Sequence, residues 1–550
     1  MPLSRKPIFS FESPMQGTAP FLVLAFALFV AVDALYGKFL WNPLVFDDHN
    51  FFKKQIVEGY AHSSFDFGLR WFSYASIGWT YRLFGENMIW FRMGSLLLHF
   101  SACLALFLFL RRLFDAVLRE SPGISGDWLA FFASLLFALH PVSVYAAGYL
   151  IERSTVMASL FGFLMLRAYL EGVMRESRIW FLISSLCYFL AVFSKEHAVM
   201  MPAVALAMTS LLKKPQAGWI RTLWLPFFLF FAMALLVVLK QKGVLGTSYE
   251  IYGASMIESK NVSVSNAYPL SVVTQCWLFF KYLGLWLVPD PSWMAVDMRE
   301  PFATGFFEFP QFLGLIGFII YPVVAVKLLL RGGKVGLFGF GLLFPWLLFA
   351  TELSTIRIQE PFVLYRSYLW MGGFFAVFPL VFSRMPAKIA FVVLLAIPVI
   401  LFPLARRELT MFSSPLRLWS QAAKLTEGRS GLNGLDRIYY NLGKAELGAG
   451  EYADAEKSLT RVVTISPNVY QAWYLRGTAL YYEKKLNDAV SDFDKTIALY
   501  PSYGEAYFMR ALTYRRMKVK GPMIADFRKS CDLGFQRACV KLKEEAGLMY

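Results

Sequence analysis

Two adjacent acids, Asp47 and Asp48, are the first residues of the chain that could do chemistry. They stand in the segment NPLVFDDHNFF, directly after the first long apolar run. A carboxylate can act as a general base when it reaches the proton of a reacting hydroxyl, and two vicinal acids can raise the pKa of one of them. The pair therefore predicts a general base or a metal ligand, and an acidic helix cap remains the alternative interpretation.

More ionisable side chains stand at two breaks between later apolar runs. The segment LHPVSVYAAGYLIERS and the turn FSKEHAV supply His140, Glu152, Arg153, Lys195, Glu196 and His197. Charges beside apolar spans usually line a cavity, and arginine can bind a phosphate through two parallel N–H donors. Arg153 and Lys195 therefore predict a phosphate site. His140 stands before a helix-breaking proline and is better explained by packing.

A third polar segment, TELSTIRIQEPFVLYRSYLW, follows a later apolar run. It carries Arg357, Glu360, Tyr365, Arg366 and Tyr368. The spacing of Arg366 and Tyr368 points both side chains toward one side of a helix entry. We expect this segment to complete the same polar site. An arginine followed by aromatic residues is also typical of a membrane-interface belt, which remains the alternative.

The elements that must position these residues are membrane helices. The chain has 550 residues, of which 57% are hydrophobic and only 17% charged, against about 25% charged in average soluble proteins. Mean hydropathy is +0.49. This composition excludes an ordinary soluble enzyme. The net charge of +16 would suggest nucleic acid in a soluble protein, but lysine and arginine in cytoplasmic loops explain it here, and no nucleic-acid partner is expected.

Apolar runs long enough for a ~30 Å hydrocarbon core follow one another up to about Arg406. Positive clusters in short connections or at the start of the chain are Arg5/Lys6, Arg111/Arg112/Arg119, Arg175/Arg178, Lys213/Lys214/Arg221, Lys327/Arg331/Lys334 and Arg384/Lys388. If all are cytoplasmic, the chain has about eleven transmembrane helices and its C-terminal region lies outside. The segment 269–288 is long enough to span, but a full span would invert this topology. We interpret it as a re-entrant or membrane-surface helix.

The C-terminal region has an internal period of 34 residues. Gly443, Gly477 and Ala511 share this spacing, as do Pro467 and Pro501. Small residues let paired helices approach, and a proline closes each unit, which is the tetratricopeptide (TPR) pattern. Two repeats fit well, and the third, from about 505, is expected to cap the stack. The sequence thus predicts an all-α protein with a membrane domain over 1–407, a linker helix over 408–431 and about three TPRs over 432–550.

Five cysteines are too few for a disulfide scaffold. Cys531 and Cys539 flank a turn between two short helices near the C-terminus. A bridge between them would persist in an oxidising compartment, in agreement with an external C-terminal domain. Two buried thiols in a helical cap are the equal alternative.

Taken in order, these segments resemble a known family. The series runs from the acidic pair through Arg70-Trp71, FGENMIWFRMGSLLLH, LHPVSVYAAGYLIERS, FSKEHAV, YLGLWLVPDPSWMAVD (ending at Asp297) and LYRSYL to the TPRs. The chain resembles the transmembrane-and-TPR O-mannosyltransferases and their bacterial relatives, which have the GT-C fold. No single motif is specific, but the ordered series covers nearly the whole chain.

The resemblance implies transfer of a sugar from a polyprenyl-phosphate donor, outside the membrane and with inversion. It places the catalytic base at Asp47 or Asp48 and makes Arg153, Lys195, Arg357 and Arg366 candidates to hold the donor phosphate. Residues expected to line the substrate cavity are Arg70, His140, Glu152, Glu196, His197, Asp297, Tyr365 and Tyr368. No cofactor is certain, although a divalent cation (Mg or Mn) could assist.

Departures from the family pattern limit what the resemblance implies. Ser143 and Tyr145 stand where the eukaryotic members tend to have His and Glu. Trp370 stands directly after the Arg-x-Tyr-Leu element, where the family commonly has proline. Sugar and acceptor specificity are therefore not transferable. The departures and the short cytoplasmic tail favour a bacterial inner membrane, with a cytoplasmic N-terminus and a periplasmic TPR domain.

Three functions compete at this point. The first is transfer to a protein recognised through the TPRs, because stacked helix pairs form concave surfaces that bind partners. The second is the same chemistry on a glycolipid or cell-surface polysaccharide. The third is a non-catalytic TPR scaffold in the membrane.

Overall fold

The computed structural model describes residues 18–118, 123–212, 219–241, 243, 246–247, 262–429 and 431–545. These residues form helices and connecting loops, and the one β-bridge recorded among them, between Met298 and Phe362, is isolated. The chain divides into two compact units, Met1–Ser414 and Pro415–Tyr550. The predicted all-α fold with C-terminal repeats is confirmed.

The first unit is built from long apolar helices. In the described part of the chain, eight are long and apolar enough to cross a membrane. They are Thr18–Phe39, Met88–Val117, Leu150–Arg175, Leu223–Lys240, Val264–Leu287, Gln311–Leu329, Gly333–Ser354 and Ala387–Met411. A ninth candidate is the pair Gly126–Leu139 and Pro141–Ala147, bent by 65°. Two shorter apolar helices are Arg178–Ser194 and Glu196–Leu212.

One sequence-based expectation looks different in the structure. Of the segment 269–288, residues 269–287 lie within one continuous helix, Val264–Leu287, of spanning length. The region from Leu364 onward is divided into the short helical segments Leu364–Ser367, Tyr368–Phe374, Phe375–Val377 and Phe378–Val381. The count of eleven crossings therefore stays a prediction. Arg5, Lys6, Arg119, Lys213 and Lys214, which helped to orient it, lie outside the described residues.

Short helices follow the first long one and connect it to the polar site. They are Asp48–Phe51, Lys54–His62 and Trp71–Phe84. Further turns at the ends of long helices are the 3₁₀ segments Leu150–Glu152, Glu196–Met200 and Ala350–Ser354. Each of these three turns carries one acid, namely Glu152, Glu196 or Glu352.

The second unit is a stack of helix pairs. Its helices are Pro415–Lys424, Leu435–Ala449, Tyr452–Ile465, Tyr470–Tyr482, Leu486–Leu499, Gly504–Arg516, Lys520–Asp532 and Gln536–Glu545. The boundary predicted at 407/408 falls inside the helix Ala387–Met411, and the helix from Pro415 belongs to the repeat unit.

The 34-residue period has a direct packing cause. A Cβ added to Gly443 would lie 2.6 Å from Leu459 Cγ, and one added to Gly477 would lie 2.9 Å from Phe493 Cε1. Both contacts are closer than side chains tolerate, so only the absence of a side chain lets the paired helices approach. Phe493 is fully buried as a result.

The third helix pair repeats the polar contacts of the second. The Arg476 guanidinium forms two 2.7 Å hydrogen bonds with Asp492, and Arg510 binds Asp526 in the same way at 2.7 and 2.8 Å. These residues are 34 apart. Gly504–Arg516 and Lys520–Asp532 thus form a full third repeat, and Gln536–Glu545 follows as the last helix. A disulfide joins Cys531 to Cys539 across the turn before it.

One backbone position in every repeat adopts a left-handed conformation. It lies between the two helices of each pair and is occupied by Gly450 (φ 84°), Lys484 (φ 66°) and Lys518 (φ 61°). A side chain costs about 1–2 kcal/mol in this region, and glycine avoids that cost. Two of the three repeats therefore carry local strain at this turn.

We expect Lys484→Gly and Lys518→Gly each to stabilise the repeats by up to about 1 kcal/mol, because relief of the left-handed strain exceeds the added entropy of the unfolded chain. Hydrogen exchange of peptides from 470–532 in the full-length protein measures this as slower exchange. Lys495→Gly, at an exposed position inside the helix Leu486–Leu499, is the control and should exchange faster, since glycine weakens a helix interior by about 1 kcal/mol. Faster exchange in all three variants would contradict the prediction.

Candidate functional site

A cavity of about 590 Å³ in the first unit collects many of the predicted residues. Those that line it are Arg70, Glu152, Lys195, Glu196, His197, Arg357, Glu360, Tyr365 and Arg366. Another part of its wall is apolar, formed by Val199, Met200, Val237, Val238 and Ala350. The cavity is therefore amphipathic, with charged groups and aliphatic groups on the same surface.

Glu352 is the centre of the charged wall, although its side chain does not line the cavity. It is fully buried. Its carboxylate lies 2.9 Å from Arg366 Nη1, 3.1 Å from His197 Nε2 and 3.5 Å from Arg357 Nε. Arg366 also approaches Glu360, with 3.6 Å between Nη2 and Oε2. One buried acid thus holds three cavity-lining side chains from two segments that are distant in sequence.

Lys195 and Glu152 form a second buried pair. The Lys195 ammonium lies 2.6 Å from Glu152 Oε2 and 2.7 Å from Thr155 Oγ1. It also lies 4.8 Å from the centre of the Tyr365 ring, a cation–π contact. Burial lowers the pKa of Lys195 and Glu152 opposes that change. The charged form is therefore held mainly by this single carboxylate.

Arg70, directly before the helix Trp71–Phe84, lines the cavity as well. Its guanidinium forms two hydrogen bonds with the Glu196 carboxylate, one of them at 2.9 Å. Burial alone would raise the pKa of Glu196, but Arg70 holds it well below its usual range. Arg70 itself has a left-handed backbone (φ 63°) at the start of Trp71–Phe84.

Arg153 points away from the cavity. Its guanidinium donates to the carbonyl oxygens of Phe91 (2.6 Å) and Ser76 (3.2 Å) and to the hydroxyls of Ser95 (3.2 Å) and Thr80 (3.3 Å). It is 2% exposed and does not line the cavity. Its donors serve to join neighbouring helices, so the structure offers no support for Arg153 as a phosphate ligand.

The two vicinal acids have different environments. Asp48 is fully buried, and its carboxylate accepts the backbone N–H groups of Ile151 (3.0 Å) and Val45 (3.3 Å). Burial raises its pKa to about 7, and Arg92 opposes part of that rise. Asp47 is half-buried, and its backbone N–H donates to the Tyr149 hydroxyl at 2.9 Å. Asp48 therefore fixes the loop, and Asp47 is the more accessible acid.

Three other predicted residues have structural partners elsewhere. His140 caps the helix Pro141–Ala147, because its Nδ1 accepts the Val142 N–H at 3.2 Å. Tyr368 pairs with His99 at 2.6 Å, and Asp297 with Arg299 at 2.7 Å. All three are buried and none lines the cavity. The packing interpretation of His140 agrees with this placement.

Three contributors have weak signals in the sequence. Arg92 stands inside an apolar run, and its guanidinium binds the carbonyl oxygens of Asn42 (2.8 Å), Pro43 (2.5 Å) and Gly148 (3.3 Å). Tyr149 lies between the acidic loop and the cavity, with its ring centre 6.4 Å from that of Tyr365. A lone charge within an apolar run was the available signal for Arg92, and Glu352 likewise directly follows such a run.

A divalent cation finds no evident set of ligands. In the part of the chain that the structure describes, His, Cys, Asp and Glu side chains do not gather in groups of three or more that could hold a metal. Both oxygens of Asp48 are already occupied by backbone amides.

Comparison with known proteins identifies the repeat region. The tetratricopeptide repeat family matches residues 440–504. No curated protein matches the sequence. Among solved structures, a chain of the crystal structure of the APC/C hetero-tetramer Cut9-Hcn1 aligns at 14% identity over 86% of this chain and 89% of that one, with a TM-score of 0.22. Such a low score does not define a shared overall fold.

The C-terminal region of the chain therefore contains tetratricopeptide repeats, and a unit of long apolar helices precedes them in the sequence. TPR arrays generally bind other proteins through their concave surface.

The buried Asp48 makes a testable prediction about pH. A carboxyl group with a raised pKa in the folded state binds its proton more tightly there, so its stabilising effect is present below pH 4 and is lost as the pH rises through about 7. We expect the thermal midpoint of the wild type to fall more between pH 5 and 8 than that of Asp48→Asn, which cannot ionise. Asp66→Asn, at an exposed site, should behave like the wild type. An equal fall of the thermal midpoint between pH 5 and 8 in Asp48→Asn and in the wild type would refute this prediction.

Proposed function

We propose that the protein is an integral membrane glycosyltransferase that moves a sugar from a polyprenyl-phosphate donor to an acceptor hydroxyl on the extracytoplasmic side. The observation that carries this proposal is the amphipathic cavity, with buried cations on one wall and aliphatic side chains on another. A polyprenyl phosphate has the same division between a charged head and an apolar tail. The ordered motif series of the GT-C transferases supports the same conclusion.

The outer faces of the long helices support a membrane location. On Ala387–Met411, for example, Ile389, Val392, Val399 and Ile400 are each more than half exposed. Side chains of this kind repeat along several long helices of the first unit, which a bilayer would cover. The bridge between Cys531 and Cys539 favours an oxidising compartment for the repeats. Both fit a bacterial inner membrane with a periplasmic TPR domain and a cytoplasmic N-terminus.

Lys195, Arg357 and Arg366 are the best placed cations for the donor phosphate. Each lines the cavity and is now paired with a carboxylate. Glu360 is the most exposed of these acids, with 24% of its side chain accessible, and lies 3.6 Å from Arg366. A phosphate that takes its place would gain a charge-assisted contact with arginine without breaking the buried Glu352 cluster.

The reaction follows from these roles. Asp47 accepts the proton of the acceptor hydroxyl, while the hydroxyl oxygen attacks the anomeric carbon of the sugar. The bond between that carbon and the phosphate oxygen breaks, and the electron pair leaves with the polyprenyl phosphate. Prepositioned cations stabilise the charge that develops on this leaving group. Asp48 and Arg92 hold the loop that carries the base.

The TPR array bears on which class of acceptor receives the sugar. An array that binds partner proteins favours transfer to a protein, and a glycolipid or polysaccharide acceptor is the first rival. A non-catalytic scaffold is the second rival, and the TPR family match is equally compatible with it.

We expect Asp47→Asn to abolish transfer, since the amide cannot accept the proton, with loss of at least about 100-fold in rate. Mass spectrometry of envelope proteins and glycolipids from deletion, wild-type, Asp47→Asn and Asp66→Asn strains measures this. A sugar present in the wild type and the Asp66→Asn control, but absent from the other two, supports the enzyme, and the molecule that carries it identifies the acceptor class. Identical profiles in all four strains, with normal expression, favour the scaffold.

Arg366→Lys tests the donor phosphate site separately. The variant keeps the charge beside Glu352 but loses the two-pronged geometry of the guanidinium, so we expect the KM for the donor to rise about tenfold with a smaller change in kcat. Purified protein in lipid nanodiscs and a radiolabelled donor provide the assay. Arg384→Lys, at an exposed position, is the control. A normal donor KM in Arg366→Lys, with thermal stability retained, would remove this residue from the phosphate site.

A further inference from the structure

Two buried polar atoms in the cavity wall have no hydrogen-bond partner. They are Thr355 Oγ1 and His197 Nδ1, for which the described residues supply neither a donor nor an acceptor. Thr355 is only 5% exposed, and both residues line the cavity. An unsatisfied buried polar group costs about 1–3 kcal/mol and is rare in native proteins. Because both atoms lie in the wall of one cavity, both are available to a group bound there.

The hydrogen-bonding role of His197 follows from its other nitrogen. His197 Nε2 lies 3.1 Å from the Glu352 carboxylate, which can only accept a hydrogen bond while ionised. Nε2 must therefore carry the proton. Burial lowers the pKa of His197, which favours the neutral ring and leaves a lone pair on Nδ1. The nearest carboxylate oxygen, on Glu196, is 3.8 Å from Nδ1 and has no proton to offer.

The chemistry of Nδ1 excludes a phosphate as its direct partner. Both Nδ1 and an ionised phosphate oxygen are acceptors, so neither can donate to the other. A hydroxyl group of a ligand can donate to Nδ1. The Thr355 hydroxyl can donate or accept and suits a second hydroxyl of the same ligand. The pair therefore marks a place for a polyhydroxylated group rather than for the charged head of the donor.

The neighbours of these two residues locate that group. His197 shares Glu352 with Arg357 and Arg366, and Thr355 stands two residues before Arg357. In a polyprenyl-phosphate sugar, a single oxygen separates the phosphorus from the anomeric carbon. When the phosphate contacts these arginines, the sugar lies within a few ångströms of them, which brings it within reach of His197 and Thr355 on the same cavity wall.

We propose that His197 Nδ1 and Thr355 Oγ1 bind hydroxyl groups of the donor sugar and thereby determine which sugar is transferred. This inference rests on the proposed function for the class of donor. It assigns the sugar, as distinct from the phosphate or the acceptor, to this part of the wall. A site built to bind a hydroxyl discriminates strongly against a substrate that lacks it, because its own polar atoms then stay unpaired.

Two matched pairs of variants test the assignment. Thr355→Val removes the hydroxyl at nearly constant shape, whereas Thr355→Ser keeps it. His197→Gln places an amide N–H near the position of Nε2 and removes Nδ1, whereas His197→Asn places an amide oxygen near Nδ1 and loses the contact with Glu352. Each pair thus separates the cavity-facing atom from the rest of the side chain.

The measurement is kcat/KM for transfer by full-length protein in nanodiscs. The donors are undecaprenyl phosphates linked to glucose, mannose or galactose, followed by the 2-, 3-, 4- and 6-deoxy forms of the best of the three. We expect the wild type to lose about tenfold on removal of one particular hydroxyl, as for one hydrogen bond of about 1.4 kcal/mol. Thr355→Val should show a ratio near one at that position, and Thr355→Ser should behave like the wild type. His197→Gln should lose discrimination at a second position that His197→Asn retains.

The outcomes distinguish this inference from the proposed function. Wild-type discrimination among the deoxy donors in both Thr355→Val and His197→Gln, with transfer intact, would overturn the sugar assignment alone. An equal loss for every donor in His197→Gln, with an altered pH profile, would mean that His197 acts on the reacting proton instead, and would also overturn it. No transfer by the wild type, together with no thermal stabilisation by any of the three donors, would overturn both proposals.

Discussion

A single buried carboxylate, that of Glu352, ties together the polar part of the first unit. His197 reaches it from the turn Glu196–Met200, and Arg357 and Arg366 reach it from a segment that follows it in the chain. Loss of the Glu352 carboxylate would leave Arg357 and Arg366 buried without their shared counter-charge, at a cost of about 3–5 kcal/mol. The cavity surface thus depends on a residue that does not line it. Its remaining charges, Lys195 with Glu152 and Arg70 with Glu196, are paired in the same manner.

This pairing sets a condition for any anionic ligand. The cations of the cavity are neutralised before a ligand arrives, so a phosphate must displace or share a carboxylate rather than fill an empty positive site. Glu360, which is the most exposed of the paired acids and lies beside Arg366, provides the least costly exchange. Selectivity in such a site comes from what surrounds the charges, which gives the unsatisfied atoms of His197 and Thr355 their importance.

The sequence predicted local features better than it predicted the directions in which side chains point. The repeats were predictable because Gly443 and Gly477 must face Leu459 and Phe493 at a fixed spacing. Lys195, Arg357 and Arg366 were predictable as a group because charges at breaks between apolar runs gather on one side. Arg153 shows the difference. Neighbouring residues on a helix point about 100° apart, and Arg153 faces other helices although Glu152 lines the cavity. The contribution of Arg92 needed the tertiary structure, since its partners are backbone carbonyls that no pattern reveals.

The arginine–aspartate pairs of the second unit also connect one repeat to the next. Arg510 contacts Asp494 as well as Asp526, and Arg476 contacts Thr460 as well as Asp492. Leu442 and Ser458 occupy the equivalent positions of the first repeat and break this pattern. Couplings between neighbours make a solenoid unfold in blocks. The first repeat is joined to the second by Thr460 and by the ion pair of Glu456 with Lys485, but it lacks the internal arginine–aspartate pair. Under mechanical tension it should therefore unfold at a lower force than the second and third repeats.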